Sequence, residues 1–196
     1  MSKETTTAAA KPRLKLDGRF IGKLTGTLLG ICLVVALLLG VVNSATEPII
    51  TQMKAEKTAQ AMGQVLAADG YEPLETVQEG VTALYAAVTG GERVGYVAEV
   101  TSSGFGGAIS MVVGVDMSGA VTGVAVTSAA ETPNVGSKVV GDQSVLDRFI
   151  GMSRDGGEIT VNSGSNRFDG VSGATVSSRA VAAGVNTALA AATAAK

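Results

Sequence analysis

Between Lys23 and Glu47 the chain carries no charged residue, and Leu24–Val42 (LTGTLLGICLVVALLLGVV) is almost wholly apolar. About 20 helical residues at ~1.5 Å each cover the ~30 Å hydrocarbon core of a bilayer. Residues 24–46 therefore predict one membrane-spanning helix. Five basic residues (Lys11, Arg13, Lys15, Arg19 and Lys23) stand directly before it. By the positive-inside rule, residues 1–23 stay in the cytoplasm and the remainder lies outside the cytoplasmic (inner) membrane. No A-x-A-like cleavage site is clear around Val42-Asn43-Ser44-Ala45, which argues against a removed signal peptide. Ile31 before Cys32 is too large for a lipoprotein signal, and the apolar run lacks the early Glu of a pilin-type leader. A single uncleaved anchor is the expectation, with Cys32 a lipid-facing or packing residue.

The charges divide at this segment. Met1–Lys23 holds six basic and two acidic residues, whereas Glu47–Lys196 holds nine basic and fifteen acidic ones. Nucleic acid needs a basic face, so an acidic body predicts no nucleic-acid partner. The 196 residues include no His and one Cys. A four-ligand zinc site, a His-ligated haem, a Cys-ligated iron–sulfur cluster, a Ser-His-Asp triad and a Cys-His pair cannot be assembled within this chain. Redox work would need an organic cofactor.

Beyond the anchor, Glu47–Ala68 reads as a helix with Pro48 in its first turn, ended by Asp69-Gly70-Tyr71-Glu72-Pro73. It opens a helical connector over residues 47–80. From Val81 the hydrophobic period changes. Ala83–Val88, Val94–Val100, Ala108–Val115 and Val121–Val126 are short β-branched runs, two of the gaps having hairpin-turn compositions. Ser137–Met152 reads as a helix, Glu158–Asn162 as a short strand, and the Ala-rich Val176–Lys196 as a final helix. Residues 81–196 thus form an α+β domain: an antiparallel β-sheet with packed helices, preceded by the N-terminal transmembrane helix.

Three loops depart from plain strand or helix sense. Gly104-Phe105-Gly106-Gly107 joins two strands; its glycines either shape a hairpin or let a flat ligand lie on the backbone. Glu131-Thr132-Pro133-Asn134-Val135-Gly136 lies between a strand and a helix, where Thr132 or Ser137 suits a cap. Asp169–Ser178 runs into the final helix. Thr175 falls in its first turn, where free N–H groups and the positive dipole end favour an anion. Gly173 and Ala174 leave room for a phosphate to approach.

Ser172-Gly173-Ala174-Thr175, followed by Ser177-Ser178, resembles the S-G-A-[ST]-x-[ST] attachment motif of FMN-binding domains. Gly104-Phe105-Gly106-Gly107 is similar to their G-[YF]-G-G loop. Glu131-Thr132-Pro133 with Gly136 is similar to their E-T-P-G-x-G segment, departing at Asn134 where Gly is usual. The order of the three motifs behind one anchor resembles the G-subunit family of Rnf electron-transport complexes. That resemblance implies FMN held covalently by a phosphoester on Thr175, installed by a separate flavin transferase from FAD with a divalent metal. Ser172, Gly173 and Ala174 would neighbour the phosphate. Phe105, Gly106 and Gly107 would border the flavin, and Glu131 and Thr132 would meet its polar edge or ribityl chain. The implied role is an extracytoplasmic electron relay in an ion-translocating ferredoxin:NAD⁺ oxidoreductase, partnered by the other Rnf subunits and not catalytic alone. No catalytic residue or metal ligand is expected in the chain. The C-subunit family of the Na⁺-translocating NADH:quinone reductase carries the same motif and is the nearest alternative. A non-redox, membrane-anchored binding module is the alternative of a different class.

Overall fold

The computed structural model describes residues 18–75 and 78–196; the basic stretch 1–17 lies outside the described residues. Helix α1 spans Gly18–Val65. Its apolar part presents every side chain from Leu24 to Val42 to the exterior, the surface required of a helix in lipid. The helix is long and apolar enough to cross a membrane. The helix read from Glu47 onward is not a new element: Pro48 sits inside α1. Proline removes one helical donor, and the residues flanking it carry the helix through. The chain divides into two compact units between Thr51 and Gln52.

Within the second unit, β1 (Gly70–Leu74), β2 (Val81–Thr89), β3 (Glu92–Ser103), β4 (Ala108–Asp116) and β5 (Val121–Ala129) form an antiparallel meander in chain order. Strand β1 occupies the segment that composition marks as a breaker. It is an edge strand, the place in a sheet where proline is tolerated. The other four strands contain the four β-branched runs.

Alternation along the strands splits the core between the two sheet faces. Tyr96, Ala98 and Val100 of β3, with Ile109, Met111, Val113 and Val115 of β4, belong to one buried cluster. Val97, Val112, Ala87 and Ala125 face the other way, against Ala61, Met62 and Val65 at the end of α1. Gly114 and Gly123 are cross-strand partners on that face. A Cβ on Gly123 would lie 2.8 Å from Val65 Cα, and one on Gly114 would lie 2.6 Å from Val65 O. The bare glycine pair seats the end of the helix on the sheet. Thr122 Oγ1 donates to the Val65 carbonyl at 2.6 Å, satisfying one of the acceptors a helix leaves open at its C-terminus.

After β5, the expected helix over 137–152 is broken into α2 (Ser137–Val140), α3 (Gln143–Leu146) and a 3₁₀ turn at Asp147–Phe149. Gly141 closes α2, and Asp142 starts α3 by accepting the Ser144 N–H at 3.0 Å. A small parallel pair, β6 (Thr160–Val161) and β7 (Arg167–Phe168), follows. It brings Phe168 onto Phe149 with ring centroids 4.1 Å apart. Helix α4 (Thr175–Ala194) buries Val181, Val185 and Leu189 in the first cluster. Sheet and α4 together determine where the three unusual loops end.

Candidate functional site

The three loops meet at one end of the sheet. In the β3–β4 loop, Gly104 N–H donates to Gly107 O at 2.8 Å, a tight reversal that leaves Phe105 65% exposed. Antiparallel register puts Ile109 beside Ala129, so the chain leaving β5 passes directly along this loop. There Glu131 accepts the Phe105 N–H at 2.9 Å and the Gly106 N–H at 3.2 Å. Gly104 and Gly136 both press on the Glu131 carboxylate so closely that a Cβ at either position would collide with its oxygens. A Cβ on Gly106 would lie 2.5 Å from Ala130 O and 3.0 Å from Thr132 N. These glycines permit backbone to lie on backbone, with one carboxylate joining the two loops.

The segment 131–137 folds on its own hydrogen bonds. Val135 N–H donates to Thr132 O at 3.2 Å, and Ser137 Oγ accepts the Asn134 N–H at 2.8 Å. Ser137 is therefore engaged within the loop, and α2 has no side-chain cap. Asn134 has φ 62°. Asparagine is the commonest substitute for glycine in this left-handed region, which accounts for its place in the sequence.

The third loop delivers α4. Ala174 N–H donates to Val171 O at 3.0 Å across a turn in which Gly173 has φ 81°, the conformation a type II turn needs at that position. Thr175 begins α4 and is exposed. Its N-cap residue is Ala174, and no side chain caps the first turn. Ser178 Oγ accepts the Val171 N–H at 3.2 Å. Ser177 is as buried as its neighbour, but its Oγ has no hydrogen-bond partner among the described residues.

A hollow of about 230 Å³ opens between the loops, lined by Phe105, Val135, Gly173, Ala174, Thr175, Val176 and Ser177. Of the residues named from the sequence, Phe105, Gly173, Ala174 and Thr175 line it. Gly106, Gly107, Glu131, Thr132 and Ser172 do not, and the first three of these tie the loops together behind it. Val135, Val176 and Ser177 are additions from the structure. The two valines occupy unspecified positions of their motifs, so only the folded loops reveal them; Ser177 stood within the attachment motif. An apolar rim over an uncapped helix N-terminus suits a flat aromatic body with an anionic end. FMN fits these features. Among the described residues no group of three or more Cys, Asp or Glu side chains could hold a metal ion.

Residues 104–190, which contain all three loops, match the FMN-binding domain. Across 198 aligned residues the chain is 33% identical to the G subunit of the ion-translocating oxidoreductase complex of Cereibacter sphaeroides, spanning 89% of this chain and 86% of that one. This chain belongs to the G-subunit family of ion-translocating oxidoreductases. The G subunit of the Na⁺-translocating ferredoxin:NAD⁺ oxidoreductase complex of Acetobacterium woodii is 30% identical, over 90% of this chain and 93% of its own. Among solved structures, the C subunit of the Na⁺-translocating NADH-quinone reductase from Parabacteroides distasonis superposes with a TM-score of 0.45 at 20% identity, over 55% of this chain and 58% of that chain. Membership of the G-subunit family agrees with the apolar α1 in marking a membrane protein.

Proposed function

We propose that this chain is the FMN-bearing electron relay of an ion-translocating ferredoxin:NAD⁺ oxidoreductase, with FMN joined to Thr175 by a phosphoester. The observation that carries this reading is the position of Thr175. Its hydroxyl is exposed in the first turn of a 20-residue helix whose N-terminus no side chain caps, at the mouth of an apolar hollow. FMN supplies the electron-transfer chemistry, which no side chain of this protein provides. Phe105, Val135 and Val176 offer the ring an apolar bed, with Gly173 and Ala174 beside the phosphate. Ser172 and Thr132 lie on the loops outside the hollow, and Glu131 holds Phe105 and Gly106 in place. Thr175 Oγ forms its bond to the FMN phosphorus of FAD, the pyrophosphate bond breaks and AMP leaves; a separate flavin transferase performs this step. The basic run Lys11–Lys23 supports a cytoplasmic N-terminus, a single crossing and an extracytoplasmic flavin domain. The other subunits of the complex donate and accept the electrons.

The test is to co-express the full chain with a flavin transferase, denature it and inspect a gel under ultraviolet light. A fluorescent band is expected for the wild type and none for Thr175→Ala. No band in the wild type, or an undiminished band in the variant, overturns attachment at Thr175. A reporter fused after Lys196 is expected to be active only outside the cytoplasm; cytoplasmic activity overturns the orientation.

A further inference from the structure

We infer that a hollow between α1 and strands β3–β5 is a second binding site, which takes a phosphoethanolamine group with its phosphate against Lys54 and Lys57 and its ammonium against Glu99. The hollow measures about 230 Å³, with Lys54, Lys57 and Thr58 on the helix wall and Glu99, Ser110, Thr127 and Ser128 on the sheet wall. It lies within the second compact unit, on the sheet face opposite α4, and owes nothing to the reading of Thr175. A sheet face covered by a helix is normally apolar, and so it is where Val97, Val112 and Ala125 meet Ala61, Met62 and Val65. Further along the strands the same face turns polar, for alternation carries it from Val97 to Glu99 and from Val112 to Ser110. On β5 the register slips. Ser110 pairs with Ser128 and Met111 with Val126, so Thr127 is an extra residue. A bulge of this kind re-aims side chains, and here two successive hydroxyls, Thr127 and Ser128, line one hollow. In a regular strand one of them would point to the α4 side.

The charges on the two walls do not pair with each other. Among the described residues neither lysine nor Glu99 belongs to an ion pair. One Glu99 oxygen accepts the Tyr85 hydroxyl at 3.4 Å, and the other has no hydrogen-bond partner among the described residues. Burial pushes this carboxyl above its ordinary value, opposed only by that bond. A partly buried carboxylate is stabilised by a cation beside it. Lys54 and Lys57, three positions apart, share one side of the helix and carry three N–H donors each. Thr58 and Ser128 add hydroxyl donors, whereas Thr127 Oγ1 already donates to Ser110 O at 3.2 Å and Ser110 Oγ bonds Thr101. Many donors facing one acceptor call for a ligand with several anionic oxygens at one end and an ammonium at the other. A phosphate ester supplies the oxygens better than a carboxylate, which has two. A quaternary ammonium would leave Glu99 without a donor, so the primary amine of phosphoethanolamine is the better match. The soluble ester and the headgroup of phosphatidylethanolamine share this chemistry.

The test is calorimetric titration of the full chain in detergent at pH 7 with O-phosphoethanolamine, inorganic phosphate, ethanolamine and phosphocholine. Phosphoethanolamine is expected to bind, and each of the others to bind about tenfold or more weakly, since each lacks one charged hydrogen-bonded contact. Glu99→Gln is expected to erase the preference for phosphoethanolamine over phosphate. Lys54→Met combined with Lys57→Met is expected to weaken both alike. Melting curves establish that each variant is folded. Phosphate binding as tightly as phosphoethanolamine to the wild type, affinities unchanged in both variants, or no heat from any probe overturns the site. Native mass spectrometry of the chain in micelles containing dioleoyl phosphatidylethanolamine or dioleoyl phosphatidylcholine then reads the source. Retention of the ethanolamine lipid by the wild type, and its loss in Glu99→Gln, assigns the group to a lipid. Binding of the soluble ester with no lipid retained assigns it to a soluble ester. Equal retention of both lipids, undiminished in Glu99→Gln, overturns the lipid source.

Discussion

Glu131 Oε1 accepts the backbone N–H of Phe105 at 2.9 Å, joining two loops separated by 26 positions in the chain. Its second oxygen takes the Gly106 N–H at 3.2 Å. Charge-assisted bonds to backbone donors are stronger than neutral ones, and here they hold the exposed Phe105 over the hollow. Glu131→Ala is expected to lower stability by about 1–3 kcal/mol. Glu131→Gln, which keeps one acceptor oxygen, should lose less. Urea titration of the full chain in detergent measures both. Equal stability of Glu131→Ala and wild type would contradict the clamp.

Asn134 offers a second measurement. Its φ of 62° penalises any residue with a Cβ unless its side chain is short and polar. Asn134→Gly is expected to be neutral or slightly stabilising, and Asn134→Ala destabilising by about 1 kcal/mol. Thermal melts of the two variants should bracket the wild type.

At the other sheet face, the contact between Val65 and Gly123 predicts the behaviour of the end of α1. Gly123→Ala would bring a Cβ to 2.8 Å from Val65 Cα, which is backbone and cannot rotate away. A loss of about 1–3 kcal/mol is expected, as for other overpacked cores. Thr122→Val removes the bond to the Val65 carbonyl and should cost about 1 kcal/mol. Limited trypsin digestion at Lys54 and Lys57 gives the local readout, and both variants should be cut faster than wild type there.

The pH dependence has contributions of opposite sign. Burial pushes the Glu99 carboxyl above its ordinary 4.5, only partly opposed by the hydrogen bond from Tyr85. Its folded-state pKa is raised, so its stability contribution is full below 4.5 and is lost as pH rises through the folded value. Glu99→Gln is therefore expected to stabilise the protein at pH 7 and to match wild type near pH 4. At Asp116 partial burial pushes upward but is outweighed by hydrogen bonds from Ser118, Ala120 and Gly119, leaving the carboxyl below its ordinary 3.8. Its contribution is present above 3.8 and is lost as pH falls through the lowered value. Melting temperatures of Glu99→Gln and Asp116→Asn from pH 3 to pH 7 separate the two groups.

Much of the architecture was legible because it follows from local patterns. Runs such as Ala108–Val115 alternate against a sheet face, and the Ala-rich segment after Val176 has few residues that could break a helix. The strand at Gly70–Leu74 was not legible: its Gly and Pro look like a stop, and only pairing with β2 makes an edge strand of them. The broken helix over 137–149 was missed for a similar reason, since Gly141 and Asp142 interrupt a segment whose composition is helical. At the site, the glycines of the Gly104–Gly107 loop suggested room for a ligand. In the folded chain the loop is a tight reversal whose Gly104 and Gly106 also let Glu131 and its neighbours approach closely.

By itself the sequence determined the uncharged span that lies in lipid, the absence of His, and a threonine at the start of a long helix. These are properties of composition and of residue order over a few turns. Tertiary structure decided that Phe105, Val135 and Ser177 surround that threonine. Residues 72 positions apart meet there because the register of β4 and β5 and the packing of α4 bring their loops to one sheet end. The same packing buries the Ser177 hydroxyl without a partner, a feature that depends on three-dimensional neighbours and that no local pattern contains.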